Sequence, residues 1–197
     1  LHDMEIRNED GLDYIYGARN KAGEGIKFEA VTGAVKMRFD IPTKEECGLE
    51  IVKWSPTAIT VAPDGDVYLS DGYASNRIFR FNKDGEYQSH FGRKGNGTKE
   101  FNTAHGMTLD NRYNPPRLLI CDRNHQPKGR LVHYSLEGNY IEEVMPGLGM
   151  PTSVAIRGDY VAVPDLQGRL VILDKDNTII SVLGFNSDTK TRGSFKV

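Results

Sequence analysis

Cysteine is scarce in this sequence: Cys47 and Cys121 are the only two among 197 residues. Cys47 stands in a polar stretch and Cys121 inside an apolar run, so two unpaired thiols are favoured over a disulfide. Long apolar runs are missing as well. No segment approaches the roughly 18 consecutive apolar residues of a membrane-spanning helix, and no membrane span is expected. Neither sign of charge dominates. The formal net charge of −2 argues against a broadly basic face, and no nucleic-acid partner is expected. Helical periodicity is not sustained over the length of an ordinary helix anywhere. There is no Gly-rich phosphate loop, no Cys-x-x-Cys pair and no nucleophile elbow.

What the sequence has is a repeat. His2, Thr57, His105 and Thr152 each open a short stretch of alternating apolar residues, in steps of 55, 48 and 47 residues. Periods of this size mark repeated supersecondary units. The second unit shows the plan: strands at 57–62, 67–70, 77–82 and 86–91, with Pro63-Asp-Gly-Asp66 and Lys83-Asp-Gly85 as turns. Asp-Gly between alternating apolar runs is a hairpin signal, because the turn requires positive φ.

The third unit repeats the plan at 105–110, 117–121, 130–135 and 140–145. The fourth does so at 152–157, 160–163, 169–173 and 179–183. A less regular first unit has strands at 2–7, 14–18, 27–30 and 35–39. Four short antiparallel strands per unit make a propeller blade. The expected fold is therefore an all-β β-propeller, a single domain over 1–197. Its blades lie at about 1–42, 55–92, 101–147 and 150–184.

Asp71, Asp122 and Asp165 close second strands, and Arg77, Arg130 and Arg169 open third strands; a structural Asp–Arg pair in each blade is the simplest reading. Polar connectors at 92–99 and 185–193 occupy matching positions, one leading to Phe101 and the other to Phe195. Phe101 precedes His105 by four residues, so a fifth first strand is expected just past Val197. The chain thus reads as about four blades of a six-bladed ring, cut at both ends. Exposed blade edges would then invite self-association.

These residues resemble the NHL-repeat propellers, and most closely the catalytic core of the peptidyl-α-hydroxyglycine amidating lyases. The resemblance rests on Pro56-Thr-Ala-Ile-Thr-Val-Ala, Ser70-Asp-Gly-Tyr-Ala-Ser-Asn-Arg-Ile78, Phe101-Asn-Thr-Ala-His-Gly-Met107 and Cys121-Asp-Arg-Asn124. It implies a six-bladed ring with zinc held in the central channel by three histidines from alternate blades. His2 and His105 match two of those metal ligands, and the third would fall beyond Val197. Tyr73 matches the catalytic tyrosine and Arg123 an arginine that engages the substrate carboxylate. A structural calcium is also implied, with no ligand assigned.

Elementary geometry agrees with this arrangement. First strands line a propeller axis, and in a six-fold ring alternate blades stand about 120° apart, so three head-of-strand imidazoles converge. Three histidines with an open position suit catalytic zinc. The implied reaction takes the hydroxyl proton from a C-terminal α-hydroxyglycine and cleaves its C–N bond, giving a peptide amide and glyoxylate. A cation beside a tyrosine favours its phenolate and makes it a plausible base.

Each assignment has a structural counterpart. His105 could simply cap an inner strand, Tyr73 could pack a loop, and Arg123 could pair with Asp122 or Asp71. Thr57 and Thr152 are given no ligand role, His125 a minor one, and His90 and His133 read as surface residues. Asp3 and Glu5 share one face of the first strand, without grounds for a carboxylate dyad. Asn96-Gly-Thr98 fits a glycosylation sequon. Two other functions stand beside the lyase. One is a non-catalytic propeller that binds a peptide or protein through its rim loops; the other is a lactonase-type hydrolase using calcium. A peptide or small molecule in the central channel is the expected ligand, and a secreted or periplasmic setting is the leaning.

Overall fold

A computed structural model describes residues 1–184 of the protein. The chain divides into two compact units, Leu1–Ala104 and the residues from His105 onward. In the first unit, β1 (Asp3–Glu9), β2 (Leu12–Arg19), β3 (Glu24–Glu29) and β4 (Val35–Phe39) form one antiparallel sheet in sequence order. A second sheet follows: β5 (Ala58–Val61), β6 (Val67–Ser70), β7 (Ile78–Phe81) and β8 (Tyr87–Phe91).

The second unit repeats this arrangement twice. Its first sheet is β9 (Ala104–Asp110), β10 (Arg117–Asp122), β11 (Gly129–Tyr134) and β12 (Tyr140–Leu148). Its second is β13 (Ala155–Arg157), β14 (Tyr160–Asp165), β15 (Arg169–Leu173) and β16 (Ile179–Leu183). Meandering four-stranded sheets of this kind are propeller blades. The connector expected at 185–193, with Phe195, lies outside the described residues.

Turn chemistry sets the register. Between the third and fourth strands, Gly85, Gly138 and Asn177 take φ of 85, 83 and 60° at matching positions, a conformation that favours Gly and Asn. Every blade also has a register shift between these same two strands, at Lys27/Phe28, Arg80/Phe81, Ile172/Leu173 and three places along β11. Such bulges increase local twist, as the outer strand of a blade requires.

Strand ends depart from the sequence reading where apolar alternation is weak. The first strand of the fourth blade is only Ala155–Arg157, because Pro151 and the polar pair Thr152-Ser153 precede it in a bridge and coil. Strand β12 runs three residues past the expected end at Met145, since Gly129 still pairs with Leu148. In the first blade β1, β2 and β3 are all displaced or longer than expected.

Aromatics fill the core of the first unit. Trp54 meets Phe79 edge-on at 4.7 Å, and Phe39 meets Phe81 at 5.5 Å, alongside Ile59, Val61 and Leu69. Aliphatic residues fill the second: Leu119, Leu131, Val161, Val163, Val171 and Leu173, with the free thiol of Cys121 among them. Between the first two blades a one-turn helix, α1 (Lys44–Cys47), opens with a full capping box of Thr43 and Glu46 and ends on Gly48 in the left-handed region. The chain leaves it as an extended segment, 49–53, which borders a cavity treated below.

Candidate functional site: the heads of the first strands

In the first unit His2 stands immediately before β1 and is held at both ring nitrogens. Its Nδ1 lies 2.7 Å from the Thr57 carbonyl and its Nε2 3.1 Å from the Tyr73 hydroxyl. A carbonyl only accepts, so Nδ1 carries the proton in the neutral ring, and Nε2 accepts from the phenol. The two rings meet edge-to-face, 5.2 Å apart at 89°. The sequence placed His2 and Tyr73 some seventy positions apart; the fold brings them into contact.

Tyr73 reaches this position from the loop after β6. Gly72 makes room, because a Cβ there would lie 1.8 Å from the Ala104 carbonyl oxygen and 2.7 Å from Thr57 Oγ1. Thr57 Oγ1 in turn donates to the Ala104 carbonyl at 2.7 Å.

In the second unit His105, 9% exposed, repeats the His2 arrangement: its Nδ1 lies 2.6 Å from the Thr152 carbonyl. The following Gly106 permits that approach, since a Cβ would lie 2.5 Å from Ser153 Cα and 2.8 Å from the Thr152 oxygen. Both histidines are therefore fixed in the tautomer that leaves Nε2 as an acceptor. This is the usual outer-shell arrangement for an imidazole that ligates a metal. Among the described residues, no group of three or more His, Cys, Asp or Glu side chains is placed to hold a metal ion.

Arg123, half-buried in the loop after β10, lines a cleft of roughly 510 Å³ together with His125, Lys128, Gln167 and Arg169. Basic and amide side chains line this cleft, and no carboxylate among the described residues does, so its chemistry favours an anion. His125 Nδ1 lies 3.0 Å from Asp122 Oδ2 without the alignment of a hydrogen bond.

The recurrent aspartates are structural, as their position suggests. Asp71 Oδ1 accepts from the Ser55 amide, and Asp165 Oδ1 from the Met150 amide; each of those residues stands two before a first-strand threonine. The expected Asp–Arg pair is present in the third and fourth blades, as Asp122–Arg130 at 3.1 Å and Asp165–Arg169 at 2.8 Å. In the second blade it is broken. Asp71 takes the Ser55 and Ser75 amides instead, and Arg77 makes no ion pair among the described residues. The carboxyl pKa values follow. Burial raises Asp71 despite its backbone hydrogen bonds. Burial acts on Asp165 too, but four donors, Arg169 among them, outweigh it and lower that group.

Two sequence readings need correction. His133 is not a surface residue. It is fully buried, with Nε2 3.0 Å from Asp110 Oδ2 and Nδ1 3.1 Å from Glu142 Oε1. All six residues of β11 are buried, so alternation could not have separated an inner face from an outer one. His90 is half-buried, bonded to the Tyr87 hydroxyl at 2.7 Å, and burial together with nearby Arg77 lowers its pKa. Asp3 and Glu5 form no dyad; they clamp β1 to β5 through the Ile59 amide at 3.1 Å and Thr60 Oγ1 at 2.6 Å.

Comparison with known proteins agrees with the fold. Among solved structures 426 chains match this one, so architecture alone discriminates little among functions. One is the hydrazine synthase of Kuenenia stuttgartiensis, 9% identical, with a TM-score of 0.66 over 92% of this chain and 48% of that one. Another is BBS1N in its complex with ARL6DN, 12% identical, with a TM-score of 0.62 over 91% of this chain and 52% of that one. At such identities the likeness is one of fold, and the chain spans about half the length of either. No helix among the described residues is long and apolar enough to cross a membrane. Residues 40–149, more than half of the sequence, match the family described as DUF5128: 6-bladed beta-propeller, and the chain belongs to that family.

Proposed function

We infer that this protein carries out the reaction of a zinc-dependent peptidyl-α-hydroxyglycine amidating lyase, to which the first unit would contribute His2 and Tyr73 and the second His105 and Arg123. The observation that supports this most is the fixed triad of Thr57 carbonyl, His2 imidazole and Tyr73 phenol, with 2.7 and 3.1 Å between successive partners. His105 suits a metal through Nε2, as His2 would once the Tyr73 hydroxyl that occupies its Nε2 turns away, and the third donor of a catalytic set would come from elsewhere than the described residues. Zinc, when bound, would polarise the substrate hydroxyl as a Lewis acid.

The chain's own residues have the remaining roles. As the phenolate that a bound cation would favour, the Tyr73 oxygen would accept the proton of the α-hydroxyl. As the carbonyl of glyoxylate forms, the C–N bonding electrons pass to the amide nitrogen, which is protonated in turn. Arg123 holds the substrate carboxylate, for which a planar two-pronged donor is shaped. The Thr57 and Thr152 carbonyls hold the two imidazoles in one tautomer.

A second reading draws on the same bonds. His2 and His105 each tie one first strand to the carbonyl of another, which a non-catalytic, peptide-binding propeller also needs. The full-length protein separates the two. For the lyase, purified protein contains about one equivalent of zinc, His105→Ala loses it, and Tyr73→Phe keeps the zinc while turnover falls at least a hundredfold. Zinc-free protein, or unchanged turnover in Tyr73→Phe, overturns the lyase reading.

A further inference from the structure

Arg77 is the exception in a pattern the molecule repeats. Its counterparts Arg130 and Arg169 each place Nε on the carboxylate that ends the preceding strand. Arg77 Nε is buried with no hydrogen-bond partner, and Nη1 makes one long bond to the Ser75 carbonyl at 3.4 Å. Arg77 is half-buried, but a buried N–H donor without a partner is costly, and native proteins rarely keep one without a reason. Here the guanidinium borders a cavity of roughly 410 Å³ between the loop after β6 and the extended segment that follows α1.

The cavity suits a small molecule in size. Leu49 and Ile51 give it an apolar wall, and Tyr73 an aromatic one. Lys53 adds a second cation, against a single carboxylate, the exposed Glu50. The longer connector and its capped helix are what place this wall opposite Arg77.

We propose that this cavity is a binding site for a small amphiphilic carboxylate, whose head group meets Arg77 and Lys53 and whose short apolar chain lies along Leu49 and Ile51. The site shares Tyr73 with the first-strand head but does not depend on the zinc reading, because binding alone is its readout.

The probe is hexanoate, titrated into isotope-labelled protein and followed by amide chemical shifts. The expected result is saturable shifts centred on Ile51, Lys53, Ala74 and Arg77. Affinity should fall about tenfold in Arg77→Gln, the loss of one charge-assisted contact. Hexylamine, of the same length and opposite charge, should produce no shifts there. Glu50→Gln should tighten binding. Should Arg77→Gln fail to fold, the exposed-site variant Lys53→Glu decides, with an expected loss of at least tenfold. Three results overturn the proposal: no saturable shift at about 10 mM hexanoate, equal affinity for hexylamine, or hexanoate affinity unchanged in whichever of the two variants folds.

Discussion

Replacing Asp110 by Asn tests the electrostatic centre of the second unit. The carboxylate is fully buried and accepts Arg112 Nε at 2.9 Å, Arg112 Nη2 at 2.6 Å and His133 Nε2 at 3.0 Å. Arg112, itself 7% exposed, also reaches the Asp174 carbonyl at 3.1 Å and Asn177 Oδ1 at 2.8 Å, tying the third blade to a turn of the fourth. Burial by itself would raise the Asp110 pKa, but the Arg112 and His133 donors outweigh it and hold the group well below the usual carboxylate range. An amide at this place keeps one acceptor and turns an NH₂ toward a donor. Breaking a buried pair from one side costs about 3–5 kcal/mol.

For a chain of this size each kcal/mol lowers Tm by about 2–4 °C, so Asp110→Asn should lower Tm by roughly 6–20 °C. The sign of the pH dependence follows from the depressed folded pKa. The stabilisation is complete above the unfolded-state pKa of about 4 and is lost as pH falls through the lower folded value. Urea unfolding of both proteins should therefore show the full gap at pH 7, narrowing below about pH 4. A gap under about 1 kcal/mol at pH 7, or one that widens in acid, would refute this account of the network.

Two further substitutions probe the frame. Gly106→Ala forces a methyl against the Ser153 and Thr152 backbone, and overpacking of this kind should cost about 1–3 kcal/mol in urea unfolding and disturb the His105 imidazole ¹⁵N shifts; an unchanged midpoint would contradict the close approach. Arg130→Met and Arg77→Met form an internal comparison of the same repeat position. The first removes the buried arginine partner of Asp122 and should cost about 3–5 kcal/mol, whereas the second should cost under about 1. Equal losses would mean that Arg77 has a structural partner after all.

The blade plan was legible because turns and alternation are local. Asp-Gly at 64–65 and 84–85, and the apolar runs at 67–70, 169–173 and 179–183, need no tertiary information to be read, and the corresponding strands coincide with the expected ones. Burial on both faces was not legible. Strand β11 lies between two others with every residue covered, so a buried His133 looks in sequence like any polar residue on an outer face. The Asp–Arg motif shows a different limit. It recurs in three blades, yet the separations differ from loop to loop, and in the second blade backbone amides reach the carboxylate first. The candidate site residues were proposed as residue types at repeat positions. The carbonyls that orient them could not be, since a backbone oxygen has no signature in sequence.

The bonds at the strand heads also bear on how such a molecule can change over time. His2 and Thr57 perform one mechanical act, donating a hydrogen to a main-chain oxygen farther along the chain. Either side chain can fill that socket, so imidazoles can be installed or withdrawn there, one blade after another, while the scaffold keeps its fastening. A propeller built this way can acquire or discard a reactive centre without first having to survive a misfolded ancestor.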